Sequence, residues 1–295
     1  MRARRPGRKL SAQRVYPLWF YAPAGVLFLV FFVIPTVSSF YFSFTRWTLF
    51  DSEFIGFENY IHFFENPQLY TGLINTILFG FLTSLFKVVL GLGLAVLLTS
   101  SLIGRGYLRS VVFFPVLVST IGIGLTFKAL LDPFGGPVNT VLQSLGIGSP
   151  GWLVDPNLAI YTLIGIEVWR GLGIACLIYI AGLAAIPQEY YEAARVDGAG
   201  RWKAFKSITV PLVKPATATV VILSLVDGLR KFDLIWATTR GGPGFSSDVL
   251  GSVIYKQYQA GFYGLSTAGN VILFLLVTVI MIPVTKLLNR NEVEH

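Results

Sequence analysis

Of 295 residues, 54% are hydrophobic and only 13% charged, the composition of a membrane protein and not of a soluble one. The formal net charge is +8, yet no soluble basic domain is present to carry it, which excludes nucleic-acid binding as its purpose. One cysteine (Cys176) excludes an internal disulfide, two histidines (His62 and His295) exclude a histidine metal cluster, and no G-x-x-x-x-G-K-[ST] offers ATP a P-loop.

The chain opens on a basic tail, residues 1–17, with Arg2, Arg4, Arg5, Arg8, Lys9 and Arg14. The apolar run that follows is too long for a signal-peptide core and ends in no small-x-small cleavage site, so it predicts a retained first span over 18–45. A span needs ~20 mostly apolar residues. By that measure five more segments qualify: 71–99, 108–131, 158–182, 213–236 and 268–288. The expectation is an all-α integral membrane domain of six transmembrane helices over 18–288, with a C-terminal tail at 289–295. Three connections (46–70, 132–157 and 237–267) are punctuated by turn formers such as Asp132-Pro133-Phe134-Gly135-Gly136-Pro137 and Gly241-Gly242-Pro243-Gly244. They are too short for a folded domain. A short interfacial helix is expected around Trp152 and Leu153, at headgroup depth.

Placement of the cations orients the spans. The tail, the 100–107 connection with its flanks, the 183–212 loop with Lys214, and the C-terminus hold 15 of the 23 basic residues. The alternate connections hold only Arg46, Arg240 and Lys256. By the positive-inside rule both termini and the 183–212 loop are cytosolic.

That loop has its own structure. Pro187 ends the fourth span and starts a helix over 188–196, with Glu189 in its first turn favourable to the helix dipole. Asp197-Gly198-Ala199-Gly200 is a turn in which glycine supplies a left-handed elbow. A second helix runs from Trp202 to about Ser207, and Pro211 opens the next span. A solvated amphipathic loop on the membrane surface is the plain alternative. Against it, Ala193 and Ala194 leave room for another surface to approach closely.

Glu192-Ala193-Ala194, Asp197-Gly198-Ala199, Phe205, Ile208 and Pro211 resemble the loop signature of permease subunits of binding-protein-dependent ABC importers. Further matches cover nearly the whole chain. Pro35, Ser43-Phe44-Thr45-Arg46-Trp47 and Phe54-Ile55-Gly56-Phe57-Glu58-Asn59-Tyr60 look like the first-span pattern of the sugar-importing branch. Phe232-Asp233-Leu234-Ile235-Trp236, Thr238 and Gly241-Gly242-Pro243-Gly244 resemble its maltose-transporter-like first-subunit half. The extra spans and large outer insertion of the maltose subunit itself are lacking, so the chain is closer to compact six-span members carrying oligosaccharides or glycerol phosphates.

The resemblance implies a type I importer permease fold in a bacterial or archaeal plasma membrane. It implies partners as well: a second permease subunit, two ABC ATPases, an extracytoplasmic solute-binding protein and a small solute. No cofactor belongs to the chain, since ATP and magnesium would be bound by the ATPases, and no catalytic residue is implied. Glu192, Ala193, Ala194, Asp197, Gly198, Ala199, Phe205 and Pro211 become the ATPase-coupling residues. ATP-driven closure of the ATPases would then tilt the spans by alternating access. A secondary transporter would need inverted repeats and leave the loop unexplained. A membrane enzyme would need a nucleophile–base pattern that is not seen.

Ionisable residues at membrane depth are functional candidates by default. Glu167 and Arg170 lie one turn apart and can pair on one face, which is also how a purely structural ion pair looks. Trp169 offers a flat face to a sugar ring, or is ordinary core. Asp227, Arg230, Lys231 and Asp233 follow an apolar run too short to cross, so they are expected to line an interface or a water-filled cavity. Lys87 looks isolated and is expected to snorkel, as is Lys128.

Overall fold

The computed structural model describes residues 18–48, 50–100 and 103–289. The cations of the 1–17 tail and Arg290 therefore lie outside the described residues. Four helices are long and apolar enough to cross a membrane, or up to six if each of two bent pairs counts as one span.

Helix α1 (Trp19–Phe42) leads into an antiparallel hairpin of β1 (Thr45–Trp47) and β2 (Ser52–Phe54), with Thr45 opposite Phe54. This hairpin of three-residue strands is a local addition to an otherwise helical chain. It forms because Thr48 and Asp51 close a tight turn, the Thr48 N–H donating to the Asp51 carbonyl at 2.8 Å. The buried Asn59 Nδ2 then donates to the Ser43 and Thr45 carbonyls, each at 2.9 Å. Asn59 belongs to α2 (Glu58–Glu65), so that short helix clamps the hairpin base.

Helix α3 (Pro67–Thr99) starts with proline at its first turn and with Asn66 as N-cap, whose side chain accepts from the Gln68 N–H. Its inward face is a stripe of small and polar residues, among them Thr76, Gly80, Thr83, Ser84, Lys87 and Gly91, at three- and four-residue spacing.

The third span, expected as one helix over 108–131, is two: α4 (Arg105–Leu117) and α5 (Thr120–Leu130), bent by 101°. Pro115 sits near the end of α4, and Val118 and Ser119 take extended backbone. The α5 direction is set by a close approach at Gly124, where a Cβ would lie 2.8 Å from Ala237 Cβ.

Helix α6 (Pro137–Ser144) fills the following connection. The helix expected around Trp152 is a turn instead. Pro150, Gly151 and Pro156 break the chain there, and Trp152 Nε1 donates to Asn139 Oδ1 at 2.9 Å. Half-buried, Trp152 packs on the apolar cluster that contains Phe79, Leu163 and Leu234.

After α7 (Ala159–Ala184) come α8 (Gln188–Val196), α9 (Arg201–Leu212) and α10 (Lys214–Leu229). Pro211 does not open the fifth span. It lies in the last turn of α9, and the chain bends by 65° before α10 begins. Without an N–H, Pro211 cannot donate back along the helix, and a local widening over Phe205–Thr209 absorbs the mismatch. The fifth span also stops earlier than 236: α10 ends at Leu229 and α11 (Asp233–Thr238) restarts after a break.

Helices α12 (Leu250–Gln259) and α13 (Tyr263–Asn289) finish the bundle. The loop before α12 is pinned to α3. Asn75 Nδ2 donates to the Ser246 and Asp248 carbonyls, and the Leu250 N–H donates to Thr76 Oγ1 at 2.8 Å. The Asp248 carboxylate is fully buried and pairs with Lys256 Nζ at 2.7 Å.

Candidate functional site: a charge cluster beside a cavity

Helices α3, α7 and α10 pack closely because small residues face one another. A Cβ on Gly228 would sit 2.8 Å from Gly80 Cα, and one on Gly91 would sit 2.9 Å from Ala175 Cβ. Between the apolar layer of Phe79, Leu163 and Ile166 and that of Ala95, Cys176 and Tyr179, these helices bring five charged side chains together.

Glu167, on α7, is the hub and is 0% exposed. Its Oε1 accepts from Lys87 Nζ at 2.8 Å and from an Arg170 guanidinium nitrogen at 3.1 Å. Its Oε2 accepts from Arg170 Nε at 3.1 Å, with Lys231 Nζ at 3.2 Å. Asp227, one helix away, holds Lys231 at 2.9 Å and Lys87 at 3.3 Å, and Arg170 stands 3.7 Å off. Three cations against two carboxylates leave the cluster with a net charge of +1. Burial of so many charges is tolerable only because each is paired and hydrogen-bonded.

Asp227 differs from its neighbours: its side chain is 44% exposed. It opens on a cavity of about 340 Å³ lined by Lys87, Arg170, Ser224 and Asp227 and, one turn along the same helix faces, by Ile174 and Leu223. Such a site presents acceptors and donors next to hydrocarbon.

Among the residues expected on the solute path, Glu167, Arg170, Asp227 and Lys231 meet here. Trp169 does not. It points away, edge-on to Phe127 at 5.4 Å, into an apolar hollow. Arg230 and Asp233 are exposed and make no ion pair within 4.0 Å among the described residues. The helix break is the cause: at the end of α10 the chain turns, sending Lys231 inward and Arg230 and Asp233 out.

Lys87 was missed by sequence reasoning. It is neither isolated nor snorkelling but buried between Glu167 and Asp227. The signal was present in the stripe of Gly80, Thr83, Ser84 and Gly91 around it, which no lipid-facing surface requires. Lys128 is exposed near the end of α5.

The loop at the other end of α7 is built around a glycine elbow. Gly198 has φ +74°, its N–H donates to the Arg195 carbonyl at 3.1 Å, and the Ala199 N–H donates to the Ala194 carbonyl at 2.8 Å. That pair of bonds is a Schellman closure of α8 with glycine at its left-handed position. Tyr191 Oη and Thr209 Oγ1, 2.9 Å apart, tie α8 to α9, and Trp202 stacks on Phe205 with ring centroids 5.5 Å apart. Glu192, Ala193, Asp197 and Pro211 are exposed, while Ala194, Ala199 and Phe205 are half-buried.

A family model described as "Binding-protein-dependent transport system inner membrane component" matches residues 87–292, which contain both the charge cluster and this loop. The chain belongs to that family. The trehalose/maltose transport system permease protein MalF of Thermococcus litoralis is 35% identical over 257 residues, 86% of this chain and 87% of that protein. The arabinooligosaccharides transport system permease protein AraP of Bacillus subtilis is 33% identical over 279 residues, 92% of this chain and 88% of that protein. A chain of a bacterial ABC transporter involved in the import of the acidic polysaccharide alginate superimposes with TM-score 0.83 at 24% identity, covering 95% of this chain and 98% of that one. That likeness speaks to the fold.

Proposed function

We propose that this chain is the permease subunit of an ATP-driven importer that moves a sugar or oligosaccharide delivered by an extracytoplasmic binding protein. ATP hydrolysis belongs to separate subunits. The observation that carries the reading is the half-open Asp227 carboxylate, held by buried cations at the edge of an amphipathic cavity, in a chain whose relatives carry sugar-transport names. A pyranose has the same mixed chemistry, with hydroxyls at its edge and C–H groups on its faces. An ionised carboxylate fixed by cations accepts from vicinal hydroxyls without having to be ordered on binding.

Counting each bent pair as one span gives six crossings, with both termini and the 183–212 loop cytosolic. Helices α8 and α9 act as coupling helices that dock on one of two ATPase subunits, and a second permease completes the pathway. Because Glu167 and its partners tie α3, α7 and α10 together, these helices move as one body when the loop is pushed. Alternating access then needs only that body to rock against the partner permease.

The net charge of +1 favours a second reading, an acidic sugar whose anion meets the excess cation. Uptake into proteoliposomes containing the complete complex and ATP separates the two. Neutral oligosaccharide should enter and uronate oligosaccharide should not. The reverse preference selects the acidic reading, and ATP-independent uptake of either would overturn both.

A further inference from the structure

A second and larger cavity, about 590 Å³, lies between the coupling loop and the bundle, away from the charge cluster. Its floor includes Val96 and Thr99 in the last turn of α3 and Leu183 in the last turn of α7. Its rim carries Tyr191, Arg195 and Arg201 from α8 and α9. The Arg195 Nε donates, among the described residues, only to the Tyr191 carbonyl, at 3.3 Å. Among the described residues, neither arginine has a carboxylate within 4.0 Å. Two guanidinium groups thus face a hollow with hydrocarbon at its base, at the level where two membrane-crossing helices end.

We propose that this cavity is a binding site for an anionic phospholipid, with its phosphate held by Arg195 and Arg201 and its acyl chains running along Val96 and Leu183 into the bilayer. Guanidinium groups suit phosphate because their N–H forks meet two oxygens at once. Basic pockets at the cytosolic ends of membrane helices collect anionic headgroups in this way. The apolar floor selects a lipid over a free anion, which has nothing to place there. Depth agrees, since Thr99 and Ala184 are the last residues of their helices and headgroups begin where such helices end. A lipid seated here would brace α8 and α9 against α3 and α7, so the loop would transmit a push and not fold back.

The site rests on the cytosolic placement of the loop proposed above, but its test needs neither solute nor ATP. The purified complex, extracted from membranes and exposed to phosphatidylglycerol, phosphatidylcholine or inorganic phosphate, is analysed by native mass spectrometry. One phosphatidylglycerol per copy of this chain should survive activation that strips the others, and phosphatidylcholine should not replace it. Arg195→Gln/Arg201→Gln should weaken retention about thirtyfold, the product of two interfacial cations. Lys203→Gln/Lys206→Gln removes the same charge from the loop without touching the cavity and should retain the lipid. If the glutamine pair does not assemble, Arg195→Lys/Arg201→Lys keeps the charge and should hold phosphatidylglycerol while loosening it severalfold. Equal retention in all variants, or equal retention of phosphatidylcholine, would overturn the site. Displacement by inorganic phosphate would assign it to a free anion, and loss of the ATPase in place of the lipid would assign the arginines to that interface. Thiol labelling at Val196 reports the loop's side of the membrane independently.

Discussion

Lys87 Nζ lies 2.8 Å from Glu167 Oε1, joining α3 to α7 at a point where both side chains are all but sealed from solvent. The same ammonium reaches Asp227 on α10 at 3.3 Å, so one lysine links three helices. The stability of the bundle should therefore respond to charge with a definite sign.

Removing a carboxylate and removing a cation are not equivalent here. Glu167→Gln raises the cluster's net charge from +1 to +2, while Lys87→Met brings it to zero. The first should cost about 3–5 kcal/mol, the usual penalty for stranding buried charge, and the second distinctly less. Thermal unfolding of the purified complex measures both. An equal loss, or a larger one for Lys87→Met, would show that the charge count does not govern the site.

Gly171 leaves the space that Lys87 occupies, because a Cβ there would lie 2.6 Å from Lys87 Nζ. Gly171→Ala should displace the lysine and cost about 1–3 kcal/mol, as overpacking does. Gly165→Ala, on the same helix with nothing within 4 Å of its Cβ, should be close to neutral. Comparable melting temperatures for the two variants would place Lys87 elsewhere.

The turn between α8 and α9 depends on the left-handed backbone of Gly198. Gly198→Val would force a β-branched residue to positive φ, and Glu192→Lys would reverse the charge on the exposed face of α8. Both variants should lose transport and solute-stimulated ATPase activity while the binding protein keeps its affinity for solute. Normal uptake by both would restore the view of this loop as a solvated connection.

Orientation can be read with single thiols, since Cys176 is buried and silent. Asp51→Cys and Gln259→Cys should react with an impermeant reagent in intact cells, and Val196→Cys only after permeabilisation. In cells lacking the ATPase subunits the three sites stay exposed, as they are in this chain, so accessibility depends on side and not on burial. Labelling of Val196→Cys alone in intact cells would invert the topology.

Much of this was legible in the sequence because it depends on local rules. Hydropathy marks the spans, Pro187 and Gly198 bracket α8, and the spacing of Glu167 and Arg170 puts them on one helical face. What escaped depends on contacts between distant segments. The bend at Val118–Ser119 is set by Gly124 meeting Ala237, the burial of Lys87 by carboxylates 80 and 140 residues away, and the position of Trp152 by Asn139. Arg230 and Asp233 were grouped with Lys231 by proximity in sequence. The helix break after Leu229 separates them in space.

ATP-dependent uptake of a labelled oligosaccharide with the cavity beside Asp227 filled tests the central claim most directly. Ile174 lines that cavity and is partly exposed, so Ile174→Trp adds bulk without breaking the buried layer. The prediction is an assembled complex that binds its ATPases and the loaded binding protein, yet takes up solute at a small fraction of the normal rate. Unchanged uptake rate and unchanged solute preference in that complex would mean that the solute passes elsewhere and that the charge cluster only holds helices together.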